Sequence, residues 1–233
     1  MWTKICGVTT TESARAVRDA GASAVGLNFF SGSKRFVSVS AAAEIAKVIR
    51  IQSTENSVPD IVGVFVNSQV ADIVRTSDEV GLTAVQFHGD ETQDLICRLH
   101  EMRPDLSIIR ALRVSLEQLD EHLRTLDDLQ QRVPLAACLL DAFVAGEFGG
   151  TGMTVDLRIP ALYLQRPRPR LILAGGLTPE NVAGIVEQAN PWGVDTASGV
   201  EKAPGIKHPD RCAAFVHEAT RLRGSSGQRL ASH

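Results

Sequence analysis

Short apolar segments recur along the chain, and each is followed by a longer segment whose apolar residues have helical spacing. Continuous apolar runs of this kind are typical of strands buried on both faces, as in parallel sheets. The pattern predicts eight strands: Thr3–Cys6, Ala24–Leu27, Ile61–Val66, Ala84–Phe87, Ser107–Leu112, Ala136–Asp141, Leu171–Ala174 and Gly193–Thr196.

The segments between these strands predict helices. Thr11–Ala20 stops before Gly21, a residue type that commonly follows a helix end. Ser40 is predicted to cap a helix over Ala41–Arg50, because a serine oxygen can accept from a free amide of the first turn. Further helices are predicted over Ser68–Val80, Glu91–Met102, Leu116–Leu129, Glu180–Gln188 and Pro209–Arg223, whereas the segment after Asp141 is irregular and glycine-rich.

Eight consecutive strand–helix units in a chain of 233 residues predict a single-domain α/β protein, a (β/α)8 TIM barrel over residues 1–223. A doubly wound open sheet alternates strands and helices in the same way, so it stays open as the rival fold. The segment Gly224–His233 is polar and rich in glycine and serine, which predicts a disordered C-terminal tail.

Composition narrows the class of protein. Lys and Arg number 24 against 27 Asp and Glu, so the net charge of −3 gives no electrostatic reason to bind nucleic acid. No apolar run approaches the roughly 20 residues of a membrane span, and no signal peptide is evident. The four cysteines lie far apart, which favours reduced thiols. We therefore expect a soluble cytoplasmic protein with a small-molecule ligand, as a monomer or a homodimer.

Titratable residues and glycines follow the predicted strand ends, where the active sites of barrels form. Cys6 could act as a base or nucleophile, or be a small buried residue. Asp141 could be a general acid with a raised pKa, or a cap for the following loop. His88 could bond a substrate, or only orient the turn at Gly89. Arg35 could form a fork on a carboxylate, or be a solvated loop cation.

Two glycine-containing segments follow the last two strands. Gly175 and Gly176 lead into a helix, and Ser198 and Gly199 follow the next strand. Backbone amides at such turns can approach an anion closely, and this is the usual phosphate position in barrels, although a plain tight turn is the alternative. A third glycine loop, Gly149–Gly152, lacks the lysine of a P-loop.

Six motifs together resemble the phosphoribosylanthranilate isomerase family of tryptophan biosynthesis. They occur in order over residues 3–215, and the combination is highly specific although no single motif is. They are Lys4-Ile5-Cys6-Gly7, Val85–Glu91, Leu140-Asp141-Ala142, Phe148–Gly152, Ala174–Val182 and the segment from Gly193 to Glu201.

The resemblance implies a TIM barrel that converts N-(5-phosphoribosyl)anthranilate to 1-(2-carboxyphenylamino)-1-deoxyribulose 5-phosphate, an Amadori rearrangement that needs no cofactor and no metal. It implies that Cys6 is the catalytic base and Asp141 the catalytic acid. Arg35 is expected at the anthranilate carboxylate. The remaining expected contacts are His88 and Asp195 near the substrate, and Gly175, Gly176, Ser198 and Gly199 at its phosphate.

The sequence departs from the family pattern at three places: Met153 replaces a usual lysine, Ala197 replaces a serine, and the segment before Arg35 lacks a proline. Lys4, two residues from Cys6, would share its strand face, and we hypothesise that its charge favours the thiolate. Two alternatives stay open. A bifunctional sugar-phosphate isomerase shared with histidine biosynthesis would need an aspartate where Cys6 stands, and a non-catalytic phosphate-binding barrel would not need Cys6 or Asp141.

Overall fold

A computed structural model describes residues 1–51, 58–141, 156–221 and 230 of the chain. Eight parallel strands close into a barrel in sequence order, which confirms the TIM barrel and excludes the open sheet. Each predicted strand is present with ends within one residue of the prediction. The strands are β1 Trp2–Cys6, β2 Ala24–Asn28, β3 Asp60–Phe65, β4 Ala84–Phe87, β5 Ser107–Arg113, β6 Leu135–Asp141, β7 Arg170–Ala174 and β8 Gly193–Thr196.

Eight α-helices lie between and after these strands in the described part of the chain. They are α1 Thr11–Asp19, α2 Val39–Arg50, α3 Val70–Val80, α4 Gln93–Met102, α5 Leu119–Gln130, α6 Arg158–Tyr163, α7 Val182–Ala189 and α8 Pro209–Thr220. The predicted helix end at Arg223 falls outside the described residues.

Helix starts were predicted less well than strands. The predicted cap of α2 was wrong: Ser38, not Ser40, accepts a bond from the Ala41 amide, at 3.3 Å. The predicted start of α4 at Glu91 was also wrong, since that carboxylate accepts from the Asn67 and Gly89 amides instead of entering the helix. Polar side chains near these starts bind neighbouring loops, and periodicity of apolar residues does not detect such bonds.

Helices α3, α5 and α7 likewise begin two or three residues after their predicted starts. A small antiparallel pair was not predicted: β9 Glu201–Ala203 and β10 Ile206–Lys207 form a hairpin after β8, preceded by a 3-10 turn over Ser198–Val200. These strands are too short to produce a recognisable period in the sequence.

Alternate residues of each strand point into the barrel. The sizes of these side chains determine where space remains for a site. Toward the N-terminal end of the barrel the inward residues include Trp2, Val62 and Ile172, which pack into an apolar plug. Farther along the strands the cavity-lining residues include small and polar ones such as Cys6, Gln86 and Ala174, and space remains at the carboxyl ends. A separate apolar layer packs the helices against the outside of the barrel.

The N-terminal end of the barrel is closed by aromatic and polar contacts. Trp2 stacks on Trp192 with ring centroids 5.3 Å apart, and its Nε1 donates to Asp60 at 3.3 Å. Leu230 is buried there; its amide donates to Asp60 at 3.2 Å, and Ser107 donates to its carbonyl. Apart from Leu230, the predicted tail at 224–233 lies outside the described residues.

No helix in the described ranges is both long enough and apolar enough to cross a bilayer. Within those same ranges, no group of three or more His, Cys, Asp or Glu side chains is arranged to hold a metal ion.

We expect Gly184→Ala to raise the free energy of unfolding by about 0.5–1 kcal/mol, because glycine within a helix costs conformational entropy. A methyl group at this position in α7 would lie 3.9 Å from its nearest neighbour, Gln188 Nε2, so it fits without strain. Urea denaturation of the purified protein measures the change.

Gly21→Ala is the matched control, since a methyl group there also has room and would meet no atom within 4 Å, leaving out the adjoining residues. Gly21, however, has φ +73°, so the alanine must adopt a left-handed conformation, and we expect a loss of about 1 kcal/mol. Equal effects of the two substitutions would contradict this account.

Candidate active site

A cavity of about 990 Å³ opens at the carboxyl ends of the barrel strands. Every strand of the barrel contributes at least one lining residue. Eight of the nine residues predicted for the site line it, namely Cys6, Arg35, His88, Asp141, Gly175, Gly176, Asp195 and Ser198, whereas Gly199 does not.

Cys6 ends β1 with its thiol toward this cavity. It lies in register with Gly26 of β2, and a methyl group on Gly26 would be 2.6 Å from the Cys6 sulfur. The glycine therefore makes the space that the thiol occupies. Of the other cysteines, Cys138 and Cys212 are buried in the apolar layer around the barrel, and Cys97 packs against it.

Beneath Cys6, a buried ion pair joins the first and last barrel strands. Lys4 Nζ lies 2.6 Å from Asp195 Oδ2, and the lysine side chain is fully buried. Burial alone would lower the pKa of Lys4, but Asp195 and Cys6 together raise it above the usual value, so the ammonium is retained. Burial raises the pKa of Asp195, and Lys4 opposes this.

The Cys6 thiol is influenced by groups of both signs. Burial raises its pKa most strongly, Lys4 and Lys207 lower it, and Asp195 raises it, so that the pKa lies above the usual value. Lys4 thus acts on the thiolate in the direction that the sequence suggested, but burial outweighs it.

His88 and Asp195 present polar atoms to the same cavity. Gln86 Nε2 lies 2.8 Å from His88 Nδ1, so a neutral ring that accepts this bond carries its proton on Nε2. Burial lowers the pKa of His88, and nearby Lys4 lowers it further, so the ring is neutral at pH 7. Asp195 Oδ1 is buried and has no hydrogen-bond partner among the described residues. A buried acceptor without a partner is unusual, and here it can accept a bond from a ligand.

Arg35 is not a free solvated cation. Its Nε and Nη2 each lie 2.7 Å from a different oxygen of Glu201, in a bidentate ion pair. Glu201 in turn accepts from Lys207 Nζ at 2.9 Å. Sequence reasoning missed Lys207 altogether and gave Glu201 no role, although it stands in one of the family motifs. Arg35 and Glu201 are 166 residues apart, so no local pattern could pair them.

The predicted phosphate segments come together as the sequence suggested, with one difference. Gly175 and Gly176 have φ of +98° and +64°, conformations that favour glycine. A methyl group on Gly199 would overlap the Leu177 carbonyl oxygen, which Thr196 Oγ1 also bonds at 2.7 Å. Gly199 therefore lets the two segments touch and lies behind the cavity wall.

Asp141 is half-buried at the end of β6 and lies in register with Arg113 of β5. Arg113 also lines the cavity and was missed, because a single arginine at a strand end gives no signal of its own. Gly149–Gly152 and Met153, where the sequence departs from the family pattern, lie outside the described residues.

Comparison with known proteins identifies the family. The sequence profile of N-(5'-phosphoribosyl)anthranilate isomerase matches residues 3–218. A relative of that name from Neisseria meningitidis serogroup C is 42% identical over 221 residues, covering 94% of this chain and 97% of the relative.

Solved structures agree with the sequence comparison. Phosphoribosylanthranilate isomerase from Thermotoga maritima superposes with a TM-score of 0.80 at 34% identity, covering 95% of this chain and all of that one. That enzyme is elsewhere described as dimeric. A second structure, at 33% identity and a TM-score of 0.77, covers 95% of this chain and all of that one. It is a complex with reduced 1-(o-carboxyphenylamino)-1-deoxyribulose 5-phosphate.

These comparisons agree with one another and with the geometry of the cavity. The family profile matches nearly the whole chain, the relative is covered almost completely, and the solved structures share the barrel. The chain belongs to the phosphoribosylanthranilate isomerase family of tryptophan biosynthesis.

Proposed function

We propose that Cys6 is the general base and Asp141 the general acid of the isomerisation for which the family is named. The observation that carries this proposal is that both residues line one cavity, from β1 and β6, and that the Lys4 ammonium acts on the thiol from below. General acids and bases must reach the reacting atoms from different sides, and two strands of a closed barrel provide such positions.

The reaction needs one proton donor and one proton acceptor in sequence. Protonated Asp141 gives its proton to the furanose ring oxygen as the C1'–O bond breaks, and the nitrogen lone pair forms an iminium ion. The Cys6 thiolate then removes the C2' proton, and the C2'–H electrons form the enolamine as the iminium is neutralised. Transfer of the C2' hydroxyl proton to C1' completes the ketone, so atoms and charges balance.

The other residues of the cavity fit the remaining parts of this substrate. Amides near Gly175, Gly176 and Ser198 bind the phosphate, and Gly199 keeps the two segments together. Arg35 binds the anthranilate carboxylate. The unpartnered oxygen of Asp195 accepts a sugar hydroxyl proton, and His88 donates to the sugar from Nε2.

We infer further that catalysis uses no cofactor and no metal, since a thiol and a carboxyl suffice for the proton transfers above. The partner is the small phosphorylated substrate, not a nucleic acid or a membrane. We expect the enzyme to act in the cytoplasm, as a monomer or a homodimer.

Replacing either proposed catalytic residue tests the assignment. We expect Cys6→Ala and Asp141→Asn each to lower kcat by about a hundredfold or more, because each removes one acid–base group. A steady-state assay with phosphoribosylanthranilate measures the loss.

Cys97→Ala is the control, since this thiol is on α4, outside the cavity, and its loss should leave kcat unchanged. Wild-type rates in both Cys6→Ala and Asp141→Asn would refute the mechanism, and an inactive wild type would favour the non-catalytic barrel. Loss of the rate in EDTA would contradict the metal-free proposal.

Replacing Lys4 and replacing Asp195 should shift the pKa of Cys6 in opposite directions. Lys4 lowers the Cys6 pKa, so Lys4→Met should raise it and move the rising limb of kcat/KM to higher pH. Asp195 raises the Cys6 pKa, so Asp195→Asn should move the limb to lower pH. The pH dependence of Cys6 alkylation, followed by mass spectrometry, reports the same pKa directly.

The double variant Lys4→Met/Asp195→Asn leaves neither partner's charge buried and unpaired. The Cys6 pKa in this variant should lie between the values in the two single variants. Cys6 titration that is unchanged in Lys4→Met, or shifts of the same sign in both single variants, would refute the electrostatic role of Lys4.

The contact behind the phosphate segments gives a separate test. We expect Gly199→Ala to weaken competitive inhibition by inorganic phosphate about tenfold, because the methyl group must push the segments apart and misplace their amides. Gly184→Ala is the control, since it adds the same methyl group in α7 away from the cavity. An unchanged inhibition constant in Gly199→Ala would argue against phosphate binding here.

A further inference from the structure

Glu201 lies behind the cavity wall and has three hydrogen-bonding partners, of which Arg35 lines the cavity. Its carboxylate accepts from Arg35 of the segment between β2 and α2, from Lys207 of β10, and from the Gly205 amide at 3.0 Å. Glu201 does not line the cavity, so it has no contact with a ligand there. Its side chain is only 5% exposed, and a carboxylate buried to this extent needs its charged partners.

The charge of Glu201 is maintained by these partners. Burial alone would raise its pKa, but the bonds from Arg35 and Lys207 outweigh burial and hold the pKa below the usual value. Lys207 is fully buried and also donates to the Ala197 carbonyl at 2.9 Å. Glu201 is therefore an ionised anchor for one cation that lines the cavity, Arg35, and one that does not, Lys207.

The Arg35 side chain is held at both ends. Its stem crosses Gly7, where φ is +73° and where a methyl group would overlap Arg35 Cδ. Its head is held by Glu201, which occupies the Nε–Nη2 edge of the guanidinium. A guanidinium has a second, end-on edge formed by Nη1 and Nη2, and this edge can bind another carboxylate.

We infer that Glu201 is a positioning residue that fixes Arg35 with its end-on edge toward the cavity, where that edge selects a ligand carrying an aromatic carboxylate. The inference rests on the proposed function, in which Arg35 binds the anthranilate carboxylate. It adds that recognition depends on a second residue, contributed by the far end of the chain. Without Glu201 the guanidinium would keep its charge but lose its fixed direction, and bidentate binding needs that direction.

Binding of two stable ligands distinguishes a role of Glu201 in positioning Arg35 from a role in general structural stability. The first is the reduced product analogue with its ortho-carboxylate, and the second is the same molecule with a plain anilino ring. In Glu201→Gln we expect affinity for the first to fall about tenfold or more, the size of one lost charge-assisted contact, and affinity for the second to stay within about twofold. Calorimetry measures both.

The control is Asp127→Asn, which breaks a similar bidentate pair with Arg168 outside the cavity. It should change neither affinity. If Glu201 acts only through Arg35, then Arg35→Ala and Arg35→Ala/Glu201→Gln should bind the carboxylated ligand equally weakly.

Equal losses for the two ligands in Glu201→Gln, or no loss for either, would overturn the inference while leaving the proposed function intact. A wild-type protein that binds neither ligand would refute the proposed function, and the inference with it. If Glu201→Gln lacks a cooperative thermal transition, Glu201→Gln/Lys207→Met removes both buried charges and allows the same comparison.

Discussion

The buried pair of Lys4 and Asp195 is the interaction on which the site depends. It joins β1 to β8, where the barrel closes, and its charges lie 2.6 Å apart within the barrel. A buried pair of this kind gains little stability over an apolar one, because desolvation offsets most of the attraction. Its position beneath Cys6 supplies what an apolar pair could not, a fixed positive charge close to the Cys6 thiol.

Lys4 of this pair acts against the effect of burial on the Cys6 pKa, although burial remains the larger effect. A thiol in an apolar pocket holds its proton, as Cys138 does with its pKa raised to about 12. Cys6 is subject to the same effect of burial, but Lys4 and Lys207 act against it. Two carboxylates, Asp195 and Glu201, balance these ammonium groups, so the surroundings of the thiol carry alternating charges, and no single residue sets its pKa.

Much of this architecture could be predicted from the sequence because it depends on local patterns. The strands are apolar runs such as Leu171–Ala174, and the residues that end them necessarily meet at one rim when the barrel closes. Cys6, His88, Asp141 and Asp195 therefore come together as expected. The resemblance to the family implied roles that position alone left open, such as an acid instead of a loop cap for Asp141, and these roles stay predictions.

What the sequence could not predict depends on contacts between distant segments. Glu201 and Arg35 meet only because the loops after β8 and β2 fold over the same rim, and Gly199 supports the phosphate segments only through the carbonyl of Leu177. Helix starts were missed for a related reason, since Glu91 binds the turn before α4 instead of entering the helix. In each of these cases the sequence shows the type of the residue, but it does not show which distant residue that side chain or backbone contacts.

These long-range contacts have a common arrangement that bears on catalysis. Arg35, which lines the cavity, and Lys4, which is buried beneath Cys6, come from different parts of the chain. Each is held by a carboxylate that follows or belongs to β8, Glu201 for Arg35 and Asp195 for Lys4. The end of β8 thus orients both the guanidinium at the cavity and the ammonium beneath the thiol. A small rotation of this one segment would therefore move both cations together. The hairpin of β9 and β10 braces the segment against Thr9, whose hydroxyl donates to the Gly205 carbonyl at 2.9 Å.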